Sequence, residues 1–84
     1  PQRLENLRDI DLKILHNEKL QADLAKIEAD MKGDGRILVR PSGTEALIRV
    51  MVEAQTDTLL TRTMDALILR IQQEAENNCG KTNC

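Results

Sequence analysis

The stretch Arg36-Ile-Leu-Val-Arg-Pro-Ser-Gly-Thr-Glu-Ala-Leu-Ile-Arg-Val-Met-Val-Glu-Ala54 reads as a β-hairpin. Two runs rich in β-branched residues, Arg36 to Arg40 and Ala46 to Ala54, flank a five-residue turn segment. In the second run Ile48, Val50, Val52 and Ala54 share one face, and Leu47, Arg49, Met51 and Glu53 share the other. The aliphatic set must meet the core, which leaves the mixed set for a cleft or a neighbouring domain. The turn itself holds anion-binding chemistry. Arg40 offers a planar fork that matches two phosphate oxygens. Ser42, Gly43 and Thr44 bring backbone N–H groups and two hydroxyls, and a positive φ at Gly43 would turn successive amides toward one point. Pro41 restricts Arg40 to extended backbone, so the loop is partly ordered in advance.

Outward from the hairpin, apolar spacing predicts two helices. Asn17 is placed to cap the first, and Leu20, Leu24, Ile27 and Met31 make one stripe along it, with Gly33 as its stop. Thr56 or Asp57 caps the second, in which Leu60, Met64, Leu67, Ile68 and Ile71 form the matching stripe. Residues 3–10 alternate poorly and suggest a strand. Ile10-Asp-Leu-Lys-Ile14 alternates better and is expected to be extended or bent. The fold class is therefore α+β: a small antiparallel sheet with two helices packed on one face. The domain is expected to span residues 1–76, with 77–84 a polar tail expected to be disordered.

Composition narrows the function. Eighty-four residues make one small domain, able to bury about 60–65% of its unfolded surface. Twelve Lys and Arg against fourteen Asp and Glu give a net charge of −2, and no Phe, Tyr or Trp is present for base stacking. Nucleic-acid binding is excluded on both counts. No apolar run approaches the length of a membrane span, and no signal peptide is visible. Cys79 and Cys84 sit in the polar tail and read as free thiols, because His16 is the only histidine to join them in a metal site.

Gly35-Arg-Ile-Leu-Val-Arg-Pro-Ser-Gly-Thr-Glu-Ala-Leu-Ile-Arg-Val-Met-Val-Glu53 closely resembles the C-terminal segment of bacterial phosphoglucosamine mutases, within the α-D-phosphohexomutase superfamily. Pro1-Gln-Arg-Leu-Glu-Asn-Leu-Arg8 resembles the start of that family's last domain. The one departure is Ala46, which stands where the family usually has proline. The resemblance implies a TATA-binding-protein-like fold for the domain. It also implies an excised part of a bacterial cytoplasmic isomerase that interconverts glucosamine 6-phosphate and glucosamine 1-phosphate for cell-wall precursor synthesis. Arg40, Ser42, Gly43 and Thr44 would hold the phosphate that is not reacting. Arg49 would support them or, on the blander reading, pair with Glu45 or Glu53. Glu45 would orient the loop and not touch the anion.

The family's phosphoserine loop, its Asp-Gly-Asp loop for Mg²⁺ and its sugar-reading loop are absent from this sequence. No catalytic or metal-binding residue is therefore assigned here. Gly33-Asp-Gly35 carries one carboxylate and reads as a turn, and His16 lacks a nucleophile to serve. The expected partners are a phosphosugar and the three preceding domains of the parent enzyme, with Mg²⁺ supplied elsewhere in it. Two alternatives stay open at this point: the same domain of a phosphomannomutase or phosphoglucomutase, and a free-standing protein-interaction module.

Overall fold

A computed structural model describes residues 1–43 and 47–79, with the side chains of 77–79 excepted. Its order is β1 (Gln2–Arg8), a 3-10 turn (Leu12–His16), α1 (Glu18–Ala29), β2 (Gly35–Pro41), β3 (Leu47–Ala54) and α2 (Asp57–Cys79). The strands form one antiparallel sheet in the order β1-β3-β2. β3 is central because it alone has a buried residue at every core-facing position, Ile48, Val50, Val52 and Ala54. Ile48, Val50 and Val52 are fully buried, and they form one core with Leu20, Leu24 and Met31 of the α1 segment and Leu60, Met64, Leu67 and Ile71 of α2. Both helices thus cover the same face of the sheet, as the α+β reading requires.

The caps follow the sequence closely at the helix starts. The Asn17 side chain accepts from Leu20 N–H at 3.0 Å, and the Thr56 hydroxyl accepts from Leu59 N–H at 3.1 Å. Three further points refine the sequence reading. Of the two readings of Ile10 to Ile14 the bent one holds: Asp9 takes φ 60°, and the Asp11 side chain accepts from Lys13 N–H to start the 3-10 turn. Local capping there outweighs a weak alternation. Helix α1 ends at Ala29, well before Gly33. Lys32 enters the left-handed region at φ 54° and Gly33 follows at φ 82°. Finally, α2 continues through Cys79, carried on from the stronger helix formers Gln72 to Glu76.

A polar network ties the two helices together. Arg70 on α2 donates to Asp23 on α1 at 2.6 Å and to Glu74 at 3.1 Å, while Asn17 Nδ2 donates to the other Glu74 oxygen at 3.1 Å. The Arg70 hydrogen bond holds the Asp23 carboxyl below the usual aspartate range. A depressed carboxylate lends stability above its unfolded pKa and loses it as pH falls through the folded value. The stability gap between the native chain and Arg70→Met is therefore expected to narrow on acidification below the ordinary aspartate range. Chemical denaturation of both proteins across that range would check it, and a gap independent of pH would remove Asp23 from the account.

Candidate functional site: an arginine pair at the mouth of the hairpin

The face of the sheet turned away from the helices carries three cross-strand rows. Gln2, Glu53 and Arg36 make one; Leu4, Met51 and Leu38 the next; Asn6, Arg49 and Arg40 the third, nearest the hairpin turn. The register follows from β3, whose inward Ile48, Val50 and Val52 force Arg49, Met51 and Glu53 outward. β2 extends one residue further than the sequence suggests, so the ladder closes on Pro41 opposite Ile48. Arg40 consequently lies directly across from Arg49. Both are exposed.

Opposed like charges destabilise a sheet unless something neutralises them. Among the described residues neither arginine has an acidic partner: Glu53 pairs with Arg36 at 3.2 Å. The pairing of Arg49 with Glu53 considered from the sequence is therefore not present. Two arginines in register beside a turn bring two guanidinium forks within reach of one oxyanion.

The backbone donors are arranged differently from the expected nest. Ser42 N–H donates to Leu47 O at 3.0 Å and so continues the ladder by one bond. Gly43 does not take a positive φ; among the described residues only Asp9, Lys32 and Gly33 do. Ser42 N–H is thus engaged in closing the hairpin, and the expected role of Gly43 as the pivot of converging amides is corrected. Gly43 is exposed, and a Cβ there would meet nothing within 4 Å, so a ligand atom can approach its backbone. Thr44, Glu45 and Ala46 lie outside the described residues. The sequence reading missed Asn6, which the register places directly across from Arg49.

Among the described residues no group of three or more His, Cys, Asp or Glu is placed to hold a metal ion. His16 is exposed at the end of the 3-10 turn. Gly33-Asp-Gly35 is a turn: Asp34 N–H donates to Met31 O, and Asp34 O accepts from Gln55 N–H. Among the described residues, the two guanidinium groups and the Ser42 hydroxyl are donors of the kind an anion can use.

Residues 2–70 match the family model described as phosphoglucomutase/phosphomannomutase, C-terminal domain. The chain belongs to that family. It is 47% identical over 75 residues to the phosphoglucosamine mutase of Bacillus subtilis, a match covering 88% of this chain. The chain spans only 17% of the length of that relative. Its fold superposes on N-acetylglucosamine-phosphate mutase, a member of the α-D-phosphohexomutase superfamily solved in a product complex. That match has a TM-score of 0.71 and 26% identity, over 82% of this chain and 15% of the other. It also superposes on Aspergillus fumigatus N-acetylphosphoglucosamine mutase in complex with GlcNAc-6P and magnesium. There the TM-score is 0.62 at 27% identity, over 83% of this chain and 16% of the other. Among the described residues, no helix of this family member is long and apolar enough to cross a membrane.

Proposed function

We propose that this chain is the phosphate-clamping C-terminal domain of a phosphoglucosamine mutase. The observation that carries the reading is Arg40 held opposite Arg49, unneutralised among the described residues, at the mouth of the Ser42–Gly43 turn. A phosphate monoester dianion placed between the two forks converts their repulsion into attraction and accepts several charge-assisted hydrogen bonds. Ser42, Gly43 and Thr44 complete the clamp from the turn, with Glu45 orienting the loop. The identity to bacterial phosphoglucosamine mutases favours this parent over a phosphomannomutase, a phosphoglucomutase or an interaction module.

In the parent, the clamp holds the phosphate of glucosamine 6-phosphate or glucosamine 1-phosphate that is not being transferred. Phosphoryl transfer depends on positioning and charge stabilisation, so fixing the distal phosphate aims the sugar hydroxyl at the reacting centre. Binding energy from the unreactive end thereby organises the reactive one. The three preceding domains supply the phosphoserine and the Mg²⁺ site, in the cytoplasm of a bacterium. A clamp built from exposed arginines also releases its anion readily, as an intermediate that must turn end for end requires.

An amide-resolved NMR titration with glucosamine 6-phosphate, inorganic phosphate and unphosphorylated glucosamine tests the proposal. Saturable shifts confined to the hairpin end, with both phosphates and not with the bare sugar, are expected. Equal shifts with glucosamine would make the turn a sugar contact and overturn the clamp.

A further inference from the structure

We propose that Arg8, at the end of β1, is a third basic residue of the anion site, so that the site spans all three strands of the sheet. The inference rests on the clamp reading above and extends it to a strand that the hairpin motif does not contain. Arg8 pairs in register with Leu47, two residues before Arg49 on β3. Residues separated by two positions on one strand share a face, so Arg8 stands diagonally beside Arg49 on the outer side of the sheet. Diagonal neighbours lie about 7–8 Å apart at their Cα atoms, within reach for long side chains.

Leu47 strengthens the placement. It belongs to the outer face by register, yet it is only 4% exposed and stands apart from the main core cluster. The aliphatic stem of an arginine directly across the ladder is suited to lie along such a residue and carry its guanidinium beyond it. On the other side of Leu47, Ser42 N–H donates to the Leu47 carbonyl. Arg8, Leu47 and Ser42 therefore make a row immediately beside Asn6, Arg49 and Arg40. Arg8 already makes an interaction within the chain. Its five donors allow it to keep that partner and still turn one edge toward an anion. β1 thus adds charge to the side of the phosphate that the hairpin arginines leave to water.

The strand supplies its own control. Arg3 lies on β1 as well, but pairs with Val52 and so projects toward the opposite face. Arg3→Met and Arg8→Met remove the same charge from the same strand, on different sides. Titrations with inorganic phosphate at physiological ionic strength, where charges beyond about 8 Å are largely screened, should separate them. Arg8→Met is expected to weaken phosphate binding roughly threefold to tenfold, Arg8→Lys by less, and Arg3→Met not measurably. Dispersed amide spectra of each variant confirm folding. Equal affinities for all variants, or equal losses at Arg3 and Arg8, would overturn the role of Arg8. Binding lost in Arg40→Ala but kept in Arg8→Met would overturn this extension alone. A native chain that binds no phosphate would overturn it together with the clamp.

Discussion

Replacing Gly35 by alanine is expected to lower the stability of the domain by about 2–3 kcal/mol, which in a chain of this size shifts the unfolding midpoint by roughly 10–20 °C. Gly35 opens β2 opposite Ala54. A Cβ built there would stand 2.2 Å from the Glu53 carbonyl oxygen, 2.4 Å from Met31 Cε and 3.0 Å from Ala54 Cα. Met31 could swing aside at small cost because its side chain is flexible. The Glu53 carbonyl cannot, since it belongs to the central strand of the sheet. The clash must therefore move β2 relative to β3 or open the junction with α1. Gly33 offers a contrast two residues away. It has open space around it but φ 82°, so alanine there costs only the left-handed penalty of about 1 kcal/mol. Thermal unfolding of both variants checks the ranking, and a Gly35→Ala protein as stable as the native chain would show that the strands can separate freely.

Arg40→Ala in the full-length enzyme is expected to reduce kcat/KM by about 10- to 150-fold, corresponding to a loss of roughly 1.5–3 kcal/mol for a charge-assisted bidentate contact. The same substitution is expected to leave the free domain as stable as before, or more stable by a few tenths of a kcal/mol, because it relieves the repulsion from Arg49. These opposite signs distinguish a residue kept for its ligand from one kept for the fold. Circular dichroism melts and steady-state kinetics on one variant supply both halves. An unchanged kcat/KM would remove Arg40 from the clamp. A large fall in stability would make it a structural residue.

Much of this architecture was legible because β3 and the helices state their burial in their spacing. The alternation from Leu47 to Ala54 and the stripes through Leu20, Leu24, Leu60, Met64 and Ile71 correspond to the buried core. What could not be read depended on register or on local backbone chemistry. Arg40 and Arg49 are both visible in the sequence, but a five-residue turn places neither opposite the other. Only the closure on Pro41 and Ile48 does so. Arg8 and Asn6 were hidden for a different reason. β1 is an exposed edge strand with little apolar alternation, so nothing in its residues says which of them face the arginines. The left-handed turn at Lys32 was missed because glycine next to it is the better candidate on sterics alone.

Glu28 has a consequence for the open margin of the sheet. From α1 its carboxylate accepts the Ile37 N–H at 3.0 Å, occupying a donor on the outer margin of β2 that another chain would otherwise use. β1 lies at the opposite margin of the sheet and presents a run of mostly exposed residues. At Ile37 the β2 margin therefore offers an added strand one donor fewer. Glu28 is in that sense a guard over one point of the sheet margin.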